Sequence, residues 1–245
     1  MSDVEILEGD LRTASTIIEW EFGDIIGHVG VRLPGGAGIA VKLLRVAQED
    51  RDQDWLMHFD FDGNKLSGTG TVPGEAPIYT QIFKARPDVN SIVHAHAPMS
   101  IVLGLAGIPV SPVHFQSARF GGELPIFPMP SYVSEVADGD ALAEALGDAS
   151  GITINGHGIV TVGTSIDQAC LNAIYMERTA KIQHAAMLVG FRGVSEEFQG
   201  MLLENRKKVA ERGKDLGRPK TDHSDEWRYY ARKIERGESW NRGFT

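Results

Sequence analysis

Asp88-Val89-Asn90-Ser91-Ile92-Val93-His94-Ala95-His96-Ala97-Pro98 reads as a turn entering a β-branched strand that proline then stops. Side chains two apart on a strand share a face, so His94 and His96 point together and Ala95 points the other way. Pro98 opens the apolar run Met99-Ser100-Ile101-Val102-Leu103-Gly104-Leu105, which reads as a helix. The histidine pair thus stands where a strand gives way to a helix, a common place for sites in α/β folds. A second β-rich run, Gly151-Ile152-Thr153-Ile154, is followed by Asn155-Gly156-His157-Gly158 and then Ile159-Val160-Thr161-Val162. Flanking glycines let a backbone approach a ligand closely, which suits His157 to be a third ligand. Glu75 stands alone shortly upstream.

Taken singly, these residues have plainer explanations. A lone His-x-His on a strand is more often a pair of satisfied or half-exposed histidines than a metal site. His157 between glycines also suits a turn bonded to backbone, and Glu75 also suits the first turn of a helix, where it meets the positive end of the dipole. Together, at the ends of two strands, they favour a three-histidine site with open positions. That is the catalytic pattern, since a structural site would normally close its coordination with cysteine.

Composition bounds the class. With 245 residues and 42% hydrophobic content, the chain has room for one sizeable α/β domain with a real core. Its single cysteine, Cys170, excludes an intramolecular disulfide and sits in an apolar helical stretch that suggests core packing. A net charge of −9 argues against nucleic acid as the main partner. The opening Met1-Ser2-Asp3-Val4-Glu5 lacks the segments of a signal peptide, and no apolar run is long enough to span a membrane. The cytoplasm is the expected location.

Outward from the two strands, the pattern predicts a helix from Val4 to Trp20 and a strand over Gly27–Leu33, with a turn at Pro34-Gly35-Gly36-Ala37-Gly38 returning into Ile39–Leu43. Trp55–Asp60 reads as a third strand, Asp62-Gly63-Asn64 as a turn, and Glu75–Ala85 as a helix ending ahead of Pro87. Further helices are expected from about Ser131 to Leu146 and from Ser165 to Leu188, with Pro-rich loops between Pro109 and Pro130. Residues 1–200 are expected to form the metal-binding domain and 201–245 a charged, helical extension of it. In that extension Gly217-Arg218-Pro219 interrupts the pattern, and Tyr229, Tyr230, Trp227 and Trp240 suit helix packing or the cover of a neighbouring site.

These residues carry a likeness. From about Ser15 to Gly193 the chain resembles the class II aldolase/adducin-head family. Its landmarks are Gly27-His28-Val29-Gly30-Val31-Arg32, Glu75, Ala85-Arg86-Pro87-Asp88-Val89 leading to His94-Ala95-His96, and Asn155-Gly156-His157-Gly158 leading to Gly163-Thr164-Ser165. The resemblance implies a three-layer α/β/α fold with a central, mainly antiparallel sheet. It implies that His94, His96 and His157 hold one divalent metal per subunit, zinc or manganese with iron and cobalt as alternatives, and that Glu75 is an acid/base beside it. It further implies a homotetramer with active sites at subunit interfaces.

Departures from the family pattern narrow the branch. Sugar-phosphate aldolases of the family cradle phosphate with an Asn and small hydroxyl residues in the first glycine loop, a Ser-Gly turn, and a Ser-Ser pair before the glutamate. Here those places hold His28 and Gly30, Gly35-Gly36, and Pro73-Gly74. The family's interface tyrosine falls in Val113-His114-Phe115-Gln116, where Phe115 cannot donate a proton. Glu75-Ala76-Pro77-Ile78-Tyr79 and Tyr175-Met176-Glu177-Arg178 are instead similar to a branch that decarboxylates hydroxylated aromatic acids, such as dihydroxyphthalate and hydroxypyridine-dicarboxylate, in aromatic compound catabolism. The expected activity is a metal-dependent carboxy-lyase on a small carboxylate. Glu75 is the first candidate to move the proton and His28 or His114 the second; Arg32, Lys42, Arg119 and Tyr229 are candidates to bind substrate. A metal aldolase acting on a non-phosphorylated hydroxy-keto acid or sugar-derived substrate, and a non-catalytic binding module like the adducin head, are the alternatives.

Overall fold

The computed structural model describes residues 3–43, 45–46, 55–130, 132–215 and 223–238. Helix α1 (Asp3–Phe22) leads into strands β1 (His28–Arg32), β2 (Ile39–Lys42), β3 (Leu56–Phe59) and β4 (Lys65–Ser67). Helix α2 (Ala76–Ala85) precedes β5 (Ser91–Ala95) and α3 (Pro98–Leu105), and a 3-10 segment, Phe115–Phe120, leads to β6 (Ile126–Phe127). The chain continues through α4 (Val136–Leu146), β7 (Gly151–Ile154), β8 (Gly158–Gly163), α5 (Ile166–Leu188), α6 (Glu196–Asp215) and α7 (Asp225–Glu235).

All eight strands join one sheet in the order β4-β3-β2-β1-β5-β8-β7-β6. The pairing of β6 with β7 is parallel, so the sheet is mixed, which corrects the mainly antiparallel expectation. The reason is connection: α4 lies between β6 and β7 in the chain, and a strand that returns through a crossover helix enters parallel.

Alternation along the strands builds two cores. Val29 and Val31 of β1, Val93 and Ala95 of β5 and Ile159 of β8 pack with Leu11, Ala14 and Ile18 of α1 and Ala169, Ala173 and Ile174 of α5. On the other face Ile39, Val41, Ile92, Val160 and Val162 pack with Ile78, Tyr79, Ile82 and Phe83 of α2 and Leu142 of α4. Helices therefore cover both faces of the sheet, the three-layer arrangement. Cys170 lies buried in the first of these cores.

Two boundaries differ from the sequence reading. The helix expected from Ser131 begins at Val136, because the preceding segment is extended and drives Val133, fully buried, into the α2–α4 core; Ser131 itself lies outside the described residues. The charged extension forms two helices, of which α7 docks by burying Trp227 and Tyr230 against α1 and α5. Gly217-Arg218-Pro219 and Trp240 lie outside the described residues. No helix among the described residues is long and apolar enough to cross a membrane.

Candidate metal centre

Strand register assembles the site. β1 and β5 run antiparallel with His28 opposite His94, and their rings lie 5.1 Å apart. His96, two residues on, lies on the same side of the chain as His94, the ring centroids again 5.1 Å apart. A tight turn between β7 and β8, closed by the His157 amide donating to the Ile154 carbonyl at 3.0 Å, brings His157 within 4.9 Å of the His94 ring and 5.3 Å of the His96 ring. Gly158 is required for that approach, since a Cβ there would lie 2.6 Å from the Ala95 carbonyl oxygen.

Glu75 comes to the same point from the opposite layer, at the residue preceding α2, with only 2% of its surface exposed. Its Oε2 lies 3.6 Å from His28 Nε2 and 3.8 Å from His94 Nε2, and its Oε1 3.6 Å from His157 Nε2. One carboxylate thus faces three imidazoles. Tyr79, one helical turn later and fully buried, donates its hydroxyl to the His28 carbonyl at 3.2 Å and also meets His28 Nδ1.

The outer nitrogens are already engaged. His94 Nδ1 meets the Ile159 carbonyl at 3.0 Å, which places the proton on Nδ1 and leaves the Nε2 lone pair pointing inward. His96 Nδ1 meets the Asp24 carboxylate. Burial first, and then the neighbouring His28, His157 and His96, hold the His94 pKa well below the ordinary imidazole value; burial likewise lowers that of His28. Both shifts favour the neutral ring, the form able to donate a lone pair.

These donors fit a divalent cation. His94 Nε2, His28 Nε2 and Glu75 Oε1 are buried with no hydrogen-bond partner, a costly state for polar atoms unless another group satisfies them. Ligand atoms of His94, His96 and His157 all lie within 4.8 Å of one another, as do those of His28, Glu75 and His94. Three imidazoles, two of them steadied at their far nitrogens by Ile159 and Asp24, match the donor set and the outer-shell pattern of a catalytic metal site.

Of the remaining sequence candidates only Lys42 comes near, its charge helping burial to lower the His28 pKa; the others are not brought to this cluster. Arg32 stands at the far end of β1 from His28, about 13 Å along the strand. There it donates to the carbonyls of Phe83 at 2.9 Å and Val89 and lies over the rings of Phe61 and Phe83. Lys42 is buried and donates to the carbonyls of Ile25 at 2.7 Å and Gly27 at 3.2 Å. Arg119 stacks on Tyr175 and faces Glu226 at 4.0 Å. His114 accepts the Ser117 amide through Nδ1 at 3.0 Å and caps the 3-10 segment, beside an exposed Phe115. Tyr229 is exposed on α7 against Tyr230. Two partners escaped the sequence reading. Tyr79 carried a signal, four residues after Glu75 on one helix; Asp24, in a loop far from His96 in sequence, carried none.

The family model described as Class II Aldolase and Adducin N-terminal domain matches residues 21–184. A 3,4-dihydroxyphthalate decarboxylase of Arthrobacter keyseri is 29% identical over 170 residues, covering 64% of this chain and 68% of that one. The 5-methylthioribulose-1-phosphate/5-deoxyribulose-1-phosphate aldolase of Rhodospirillum rubrum is 28% identical over 156 residues, covering 63% and 69%. Among solved structures, an aldolase II superfamily protein from Pseudomonas syringae superposes with a TM-score of 0.76 at 21% identity, covering 98% of this chain and 96% of its own. An L-fuculose 1-phosphate aldolase superposes with a TM-score of 0.73 at 18% identity, covering 84% and 98%. At those identities the structural likeness establishes the fold.

Proposed function

The chain belongs to the class II aldolase and adducin N-terminal domain family, and from that premise we propose that it is a metal-dependent carbon–carbon lyase that decarboxylates a hydroxylated aromatic carboxylic acid. The observation that carries the reading is the set of inward-facing imidazoles of His94, His96 and His157 around the buried Glu75. Those three histidines would hold the cation, zinc or manganese by donor type, with iron or cobalt also compatible. When bound, a divalent cation supplies a Lewis acid that polarises a substrate oxygen.

The chain's own groups supply the rest. Cleavage of the ring–carboxylate bond releases carbon dioxide and leaves an electron pair on the ring carbon, which one proton must quench. Glu75 is shielded from water and faces the histidines, so its Oε1 and Oε2 are placed to hold that proton and deliver it. His28, 3.6 Å away and with its pKa lowered by burial, presents the Nε2 that can exchange a proton with Glu75. Tyr79, its pKa pushed well up by burial, keeps its hydroxyl proton and fixes His28 in place.

A cavity of about 330 Å³ flanks the segment that leads into Glu75, lined by Leu43, Val46, Thr69, Gly70, Thr71, Val72, Pro73 and Gly74. Neither Glu75 nor any of the clustered histidines lines it, so the preference for decarboxylation rests on sequence likeness. Relatives named as 3,4-dihydroxyphthalate decarboxylases support it. A homotetramer with sites at its interfaces belongs to this reading, and exposed Leu105, Phe115, Leu188 and Val189 offer apolar surface for such contacts.

Likeness to the Rhodospirillum rubrum aldolase supports a second reading, retro-aldol cleavage by the same residues. Manganese- or zinc-loaded protein incubated with ortho-hydroxylated aromatic dicarboxylates and with hydroxy-keto acids separates the two. Metal-dependent carbon dioxide with a decarboxylated phenol is expected. Carbonyl product without carbon dioxide would establish the aldolase reading in its place.

A further inference from the structure

We propose that Asp24 is a positioning residue for the metal centre, holding His96 so that its Nε2 faces His94 and His157; the proposal rests on the reading of those histidines as metal ligands. Both carboxylate oxygens of Asp24 are committed. Oδ1 accepts the Ile26 amide at 2.7 Å, and Oδ2 meets His96 Nδ1.

The loop that carries Asp24 is fixed from its other side. Lys42, 1% exposed, reaches from β2 to donate to the carbonyls of Ile25 and Gly27. Gly27 lies against β5, where an added Cβ would meet the His94 carbonyl oxygen at 3.3 Å. The segment between α1 and β1 therefore cannot swing away from His96 without breaking contacts to two strands. This gives the buried Lys42 a place in holding the loop.

His94 and His96 are steadied differently. His94 is held by the main-chain carbonyl of Ile159 and is fully buried, so no side chain is needed to orient it. His96 keeps 27% of its side chain exposed and depends on the Asp24 carboxylate for its orientation. A carboxylate accepting from Nδ1–H fixes the tautomer with the lone pair on Nε2 and makes that nitrogen a stronger donor. Removing such an outer partner typically costs about 10- to 100-fold in metal affinity.

The test uses the full chain stripped of metal, with zinc titrated against a chromophoric chelator. Asp24→Asn keeps an oxygen for the Ile26 amide but loses the charge; the expected result is zinc affinity down about 10- to 100-fold, with the unfolding temperature of the metal-free protein unchanged. Asp24→Glu should recover part of the loss. Imidazole nitrogen NMR supplies the readout that a merely structural role would not move: His96 protonated at Nδ1 in the wild type and a mixture of tautomers in Asp24→Asn. Zinc affinity within about threefold of wild type, or an unaltered His96 tautomer, overturns the proposal. Wild-type affinity in His96→Ala would instead overturn the metal-centre reading itself, and Asp24 with it.

Discussion

Gly30 carries the sharpest packing constraint near the site, and Gly30→Ala tests it. An added Cβ would lie 2.5 Å from Tyr79 Cδ1, closer still to Cε1, and 2.9 Å from Val41 Cγ2. Carbon atoms in good contact sit about 3.5–4.0 Å apart, so the overlap with the ring is about 1 Å or more. Tyr79 is fully buried and has no space to retreat into. Overpacking of this kind costs about 1–3 kcal/mol. Against it stands a gain of about 0.4–1 kcal/mol from replacing glycine where its backbone conformation suits any residue. The clash wins: the net expectation is a loss of about 1–2 kcal/mol, or roughly 2–8 °C in unfolding temperature for a chain of this size. Urea and thermal unfolding of Gly30→Ala, Tyr79→Leu and the double variant measure it. With the ring removed only the contact with Val41 remains, so the alanine should cost less, giving a coupling of about 1 kcal/mol or more. Wild-type stability in Gly30→Ala, or the same penalty in both backgrounds, would refute the reasoning. Turnover should fall as well, because the displaced ring takes its hydroxyl away from His28.

Three further outcomes follow from the site. Glu75→Gln leaves all three ligand histidines intact, so metal content measured by atomic absorption should persist while turnover drops about 10²- to 10⁴-fold; an unchanged rate removes Glu75 from proton transfer. His94→Ala deletes a fully buried ligand and should lose metal and turnover together, and full retention of both would show the ligand assignment to be wrong. Burial keeps His94 and His28 below the ordinary imidazole value, so below about pH 6.5 the unfolded chain binds protons that the folded chain refuses. Stability of the metal-free protein is therefore complete above that pH and falls as pH drops toward the lowered folded values. Urea midpoints that stay flat or rise on acidification contradict this sign.

Much of this was legible in the sequence because it depends on local period. The two-residue repeat of β5 put His94 and His96 together with Ala95 behind them, and the glycines around His157 marked a turn that brings it close. Burial and partner choice were not legible, because neither is local. Lys42 and Arg32 are the same residue types that bind carboxylates elsewhere, yet here their charges are satisfied by backbone carbonyls of Ile25, Gly27, Phe83 and Val89. Which face and which end of a strand a cation occupies decides its task, and only pairing register fixes that. The parallel entry of β6 escaped for a related reason: two residues are too short a run to show a period.

Pairing register also explains why fold and site stand or fall together. β1, β5 and β8 are consecutive antiparallel neighbours at the middle of the sheet, so the start of β1, the end of β5 and the start of β8 lie at one edge. His28, the His94–His96 pair and His157 occupy those three positions. A slip of one residue between β1 and β5 would set Val29 opposite His94 and turn His28 toward the α1–α5 core, where it would meet Leu11 and Ile18 in place of Glu75. The apolar alternation that buries Val29, Val31, Val93 and Ala95 on one face is thus what holds His28 and His94 on the other. Hydrophobic patterning in the central strands specifies where the histidines stand, so under the proposed function a core substitution that loosens the β1–β5 register should weaken metal binding without replacing a histidine.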